Sequence, residues 1–414
     1  MSSNATAMER NIALFSIYKA ATSAMPWLPV FFLYFLERVS LGDAVLLGSA
    51  SYFCVFALEV PSGYFSDRYG RRPTLIFAAL MTLVSCALFI VASSFIVLMI
   101  AQLMLASRIA FQSGSDSALL YDSLCVLGRE DEYTKRETVA QKWSMTALAF
   151  SCLLGGALGM VDMRLVYLAG FLAAIITLIL SVKFEEPPVG DQQAAGFVSQ
   201  LRETMKYFSH PLLGWILCFF IVGYSLEHVP YEFYQPYLKL LGETETLGWL
   251  STSSAPLVSG IVISISMFGG AVGAAVSQRL MKRVGLRLIL LLSIACQLII
   301  IGGMSLLLHP LMLLLIMFRN FSMSMAHGPM LGAIAPHVSS SQRATFLSVL
   351  SLSGRATLAF GLMMLSVLIV GKEALNWVAL AQVLGTSVVV GIVALVGLFI
   401  WSGQISREFN HKHQ

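Results

Sequence analysis

The chain has 414 residues, of which 57% are hydrophobic and only 12% charged, with a formal net charge of +4 and a mean hydropathy of +0.80. Such a composition excludes a soluble globular surface, so lipid is the solvent for most of the chain. The basic residues are scattered through connecting segments and not gathered in a patch, which argues against a nucleic-acid partner.

Crossing a hydrocarbon core of roughly 30 Å takes about 20 apolar residues in a helix. Windows of that kind recur at 11–36, 43–66, 72–92, 95–125, 138–160, 163–184, 211–237, 254–280, 286–307, 310–335, 343–370 and 374–402. The first is too long for a signal-peptide core and is expected to be retained. Helices satisfy their own backbone groups in lipid, so the predicted fold class is an all-α membrane protein of 12 transmembrane helices. Most connections are short, and the longest polar stretch falls between the sixth and seventh windows. This predicts two pseudo-symmetric six-helix bundles, at 1–184 and 210–414, joined by a cytoplasmic linker at 185–209. Within the linker, Phe197, Leu201, Met205 and Phe208 recur at helical spacing around Arg202, Glu203 and Lys206, the pattern of an amphipathic helix on the membrane face.

Orientation follows from the loop bias of lysine and arginine. With the N-terminus inside, Arg10, Arg68, Arg71, Arg72, Arg129, Lys135, Arg136, Lys183, Arg202, Lys206, Arg279, Lys282, Arg283, Arg287, Arg343, Arg407 and Lys412 all lie on the cytoplasmic side, against Arg38, Arg164, Lys239 and Lys372 on the other. Both termini are therefore expected in the cytoplasm, and the glycosylation-like Asn4-Ala5-Thr6 is attributed to chance. Cys54, Cys86, Cys125, Cys152, Cys218 and Cys296 show no paired spacing and are expected to be small packing residues.

The connection after the second window reads Gly63-Tyr-Phe-Ser-Asp67-Arg68-Tyr-Gly70-Arg71-Arg72. It closely resembles the loop 2–3 signature of the major facilitator superfamily, with every defining position filled. In physical terms, Gly63 admits close approach of another helix, Asp67 is placed to receive a helix N-terminus, and Gly70 permits a tight turn. The resemblance implies an acid–arginine–acid chain completed at the end of span 4, where Asp122 stands, forming a latch that holds the cytoplasmic side shut in one state. Glu59, Gly63 and Asp67 share one face of span 2, which in the family meets span 11; Arg355 lies at comparable depth there, so Glu59 is predicted to pair with Arg355. A weak internal repeat supports duplication: Lys282-Arg283-Val284-Gly285-Leu286-Arg287 aligns with residues 67–72, and Arg108 and Arg319 are followed eight residues later by Asp116 and His327.

Ionisable residues within spans usually face an interior or a wet cavity. Here they are Lys19, Arg108, Asp116, Glu227, His228, Glu232, Arg319 and His327, on spans 1, 4, 7 and 10, the spans that the resemblance implies line a central cavity. Lys19, Arg108 and Arg319 suggest a cationic floor suited to an anionic group, or else internal salt bridges and carbonyl clamps. Tyr231 joins Glu227, His228 and Glu232 in a stripe suited to hydrogen bonding and stacking on an organic solute, or to an interfacial aromatic belt. Asp116 and Glu227 are the carboxylate candidates for proton coupling, with His228 and His327 behind them.

In span 5, Ala147, Ser151, Cys152, Gly155 and Gly156 keep the small size and final Gly-Gly pair of the family's exporters but lack their proline and first glycines. In span 4, Gln112 sits one place out of the exporter register after Arg108. No enzyme motif or phosphate-cradling loop is present, so no cofactor is expected and the proton gradient is the predicted energy source. The resulting expectation is a monomeric antiporter of a bacterial inner membrane that exports a small organic solute. Alternatives left open are proton-coupled uptake of an organic acid or sugar, a transport-inactive sensor, and a membrane-embedded enzyme.

Overall fold

The computed structural model describes residues 3–188, 197–244, 253–369 and 375–404. In chain order the helices are α1 (Ser3–Ser23), α2 (Phe31–Leu36), α3 (Leu41–Tyr69), α4 (Arg71–Val91), α5 (Phe95–Gln112), α6 (Ser115–Val126), α7 (Tyr133–Val161), α8 (Met163–Lys183), α9 (Phe197–Tyr207), α10 (Pro211–Gly242), α11 (Ala255–Leu306), α12 (Leu311–Met317), α13 (Arg319–Ile334), α14 (Ser340–Ile369) and α15 (Trp377–Gln404). A single 3-10 turn, Glu130–Glu132, precedes α7.

Nine helical segments among the described residues are long and apolar enough to cross a membrane. One of them, α11, comprises two passes joined at Gly285, and the first and tenth passes are each assembled from two shorter helices. The twelve expected passes are thereby accounted for, but three of them are not continuous. Span 1 breaks over the Pro26 and Pro29 segment between α1 and α2, because proline withholds an N–H and disfavours helix in the residue before it. Span 4 breaks at Gly114, whose φ of 78° ends one helix and starts the next. Span 10 breaks at Phe318. The linker expected at 185–209 lies partly outside the described residues, as do Lys372, Arg407 and Lys412; the side chains of Phe197 and Leu201 do too.

The chain divides into two compact units, Met1–Val39 with Leu46–Gln192 and Ser253–Ile261, and Ser40–Val45 with Gln193–Thr252 and Val262–Gln414. In unit 1, α4 packs on α5 and α8, and α1 packs on α7, α8 and α6. The serines and glycines of α7 receive the broken first pass. Ser144 bonds Ser23 at 2.6 Å, Ser151 accepts from the Met25 N–H at 3.1 Å, and a Cβ on Gly155 would overlap the Pro26 carbonyl. The small residues of span 5 thus serve close packing against α1 and its continuation.

In unit 2, α10 packs on α14, α15 and α13. The amphipathic α9 docks on the start of α14: Phe208 stacks on Phe346 at 4.6 Å and Thr204 donates to Gln342 at 2.8 Å, leaving Met205 exposed. The two units repeat one detail closely. Gly70 (φ 102°, ψ 162°) and Gly285 (φ 80°, ψ 164°) make the same turn, and two residues later Arg72 donates to the Val182 carbonyl and Arg287 to that of Phe399.

Candidate functional site

Lys19 on α1 is the centre of the polar interior of unit 1. Its ammonium lies 2.9 Å from Asp116 and 3.4 Å from Glu137. Asp116 is buried in the first turn of α6, just past the Gly114 break, so its carboxylate sits at the positive end of that helix. The break in span 4 therefore has a use: it creates a helix N-terminus at membrane depth. Asp116 also accepts from the Ser117 N–H at 2.7 Å, and the Ser117 hydroxyl donates to Glu137 at 3.2 Å. Lys19 is shared by two carboxylates, which removes it from the cationic floor expected from sequence. Sequence reasoning missed Glu137, placed just before span 5. The available signal was helical spacing, since Glu137, Ala140, Ser144, Ser151 and Gly155 fall along one small or polar stripe.

Arg108 is buried and donates to the Thr22 carbonyl at 2.8 Å, with Met25 Sδ at 3.5 Å. Thr22 is in the last turn of α1, whose final carbonyls have no helical partner. A guanidinium there satisfies one carbonyl and complements the negative helix end. Arg108 is thus a carbonyl clamp, one of the two roles open from sequence. Beside it, Thr22, Trp27, Thr82, Gly170 and Thr177 line a small cavity.

At the turn between α3 and α4 of the same unit, Arg71 joins Asp67 at 2.6 Å, Ser66 at 2.9 Å and Asp122 at 3.5 Å. These charges are partly exposed, the condition under which an ion pair is worth little and can exchange. Arg68 takes no part; it is exposed and donates to the Tyr64 hydroxyl. Gly63 meets open space, so the close approach expected of it is not made among the described residues. Glu186, which sequence did not single out, accepts from the N–H groups of Arg71 and Arg72 at 2.6 and 2.7 Å. One carboxylate thereby caps the start of α4 and ties it to the end of α8. Gly70 has a second reason to be glycine, because a Cβ there would stand 2.6 Å from that carboxylate. Glu59 and Arg355 are each half-buried, on α3 and α14.

In unit 2, Arg319 starts α13 immediately after the Phe318 break and is buried. It lies over the rings of Tyr231 and Tyr234, 4.8 and 5.7 Å from their centroids, and donates to Ser266 at 3.1 Å. Gln297 holds the backbone of the same residue, donating to its carbonyl and to Ser322 at 2.7 Å. His228 bonds the Tyr224 carbonyl at 2.8 Å and packs its ring on Tyr224. Glu227 and Tyr231 are half-buried on the same helix. Glu232 is buried, and His327 is exposed on α13. No group of three His, Cys, Asp or Glu side chains among the described residues could hold a metal ion.

The profile of the Major Facilitator Superfamily matches residues 11–362. The chain belongs to that superfamily. Its class is therefore secondary transport of small solutes by a multi-pass membrane protein. Similar solved structures include the nucleoside transporter NupG, 12% identical over 95% of this chain and 98% of that one, with a TM-score of 0.76. A bacterial homologue of the human lysosomal transporter Spinster is 18% identical over 99% and 98% of the two chains, with a TM-score of 0.67. The peptide transporter POT is 13% identical over 97% and 95%, with a TM-score of 0.70. At these identities the likeness concerns the fold alone. A comparison with curated proteins finds no significant match.

Proposed function

We propose that this major facilitator protein exports a small organic solute in exchange for protons, as a monomer with cytoplasmic termini in a bacterial inner membrane. The observation that carries this reading is the Lys19–Asp116–Glu137 group, in which Asp116 is buried and both its companions are half-buried, because charges inside a lipid-facing unit are costly unless they are used. Protons enter and leave through Glu227 and through the charged group built on Asp116. Arg108, Arg319, Tyr231, Glu232, His228 and His327 complete the polar path, the tyrosines offering a face on which an organic solute stacks. Asp67, Arg71 and Asp122 form the cytoplasmic latch, with Gly63, Gly70, Arg68 and Arg72 shaping the loop. Breaking and remaking these modest pairs accompanies alternating access.

Proteoliposomes loaded with candidate solutes and given a pH gradient test this. Native protein is expected to drive net solute movement, while Asp116→Asn and Glu227→Gln retain solute counterflow and lose the response to the gradient. Gradient-driven movement untouched by both substitutions would remove the coupling assignment.

A further inference from the structure

The ion group of unit 1 has unequal members, and this decides where a proton is held. Asp116 has a donor on each oxygen, the Ser117 N–H on Oδ1 and Lys19 on Oδ2. Glu137 is different. Its Oε1 receives both the Ser117 hydroxyl and Lys19, whereas Oε2 is buried and has no hydrogen-bond partner among the described residues. A buried acceptor without a donor costs about 1–3 kcal/mol, and more when charged. Two carboxylates and one ammonium also leave one net negative charge, with no second cation in ion-pair reach among the described residues.

The elements packed on α7 supply no other remedy. From α1 comes Lys19, and from α6 come Asp116 and Ser117; α8 carries Arg164 and Lys183 only near its two ends. In the 3-10 turn, Glu132 is taken up by Arg129 and Arg136 and lies beside the exposed Glu130 and Asp131. On α7 itself the titratable neighbours are Tyr133, Lys135, Arg136 and Lys142, and none of the three cations forms an ion pair with Glu137 among the described residues.

We propose that Glu137 Oε2 is the atom at which unit 1 binds its proton, with Asp116 the permanent anchor of Lys19. Proton uptake from water changes the triad from a net charge of −1 to zero and removes the uncompensated charge from Oε2. Release leaves Lys19 to bridge both carboxylates, as in the geometry described. This deepens the proton-coupled reading above and rests on it for its physiological meaning.

Removing either carboxylate leaves a neutral lysine–carboxylate pair, so substitution alone does not distinguish them, whereas isotope labelling does. Infrared difference spectra between acid and neutral buffer are recorded on the purified full-length protein in lipid nanodiscs, native minus Glu137→Gln. The protonated-carboxyl stretch in that double difference is expected to shift when glutamate carries carbon-13 in its side-chain carboxyl and to stay in place when aspartate does. A stretch that follows the aspartate label, or the absence of any stretch in the double difference, overturns the assignment. Failure of the coupling reading looks different: the glutamate-labelled shift is present, yet a pH gradient moves no solute in proteoliposomes.

Discussion

Substituting Gly70 by alanine separates two contributions that the turn before α4 makes to stability. The first is backbone strain. At φ 102° and ψ 162° the residue occupies a region open essentially to glycine, and a Cβ there costs about 1–3 kcal/mol. The second is displacement of Glu186, whose carboxylate would lie 2.6 Å from the new atom. Glu186 can swing aside, but then the Arg71 and Arg72 N–H groups lose their cap, worth about 1–2 kcal/mol. Gly70→Ala thus totals about 2–5 kcal/mol, and Glu186→Ala alone costs only the cap. In the double variant the cap is lost once, so adding Glu186→Ala to Gly70→Ala should cost nearly nothing. Thermal unfolding in detergent at a fixed scan rate reads the cycle. A unit of this size shifts by about 2–4 °C per kcal/mol, which puts Gly70→Ala on the order of 10 °C below native and Glu186→Ala about 5 °C below. Gly114→Ala, at φ 78° with nothing within 4 Å, reports strain without displacement. Equal costs of Glu186→Ala in the native and Gly70→Ala backgrounds would refute the link between the two residues.

Two further outcomes follow from the glycines. Gly155→Ala places a methyl against the Pro26 backbone carbonyl, which has no rotamer to yield, and should lower stability by about 3 kcal/mol or more with loss of folded yield in detergent. Gly63→Ala meets open space within α3 and should be neutral or stabilising by about 0.5–1 kcal/mol in the same unfolding assay. If Gly63 admits another helix when the latch closes, that variant nevertheless loses transport; full transport activity would remove that role.

Parts of the site were legible before any coordinates. Asp67, Arg71 and Asp122, singled out through the family resemblance, stand together, because Asp67 and Arg71 are close in sequence and the end of span 4 has few places to go. Lys19 and Asp116, ninety-seven positions apart, were both marked by the cost of charge in lipid, but their pairing was not. Glu137 and Glu186 escaped notice for the opposite reason. Each stands at the rim of an apolar window, where a carboxylate looks like an ordinary loop residue. The breaks at Pro26, Gly114 and Phe318 were hidden because hydropathy averages over a window and does not register one residue that leaves helical geometry.

The amino-acid order by itself determined that the chain crosses a membrane many times, that it does so as helices, and that charge is concentrated on a few of them. These follow from local length, hydropathy and the impossibility of unpaired backbone in lipid. Only the tertiary structure decided which charges meet, which carbonyl Arg108 holds, and which carboxylate oxygen is left without a donor. Those depend on distances of a few ångströms between residues remote in the chain, set by how glycine and serine faces let helices approach, and hydropathy carries no record of that.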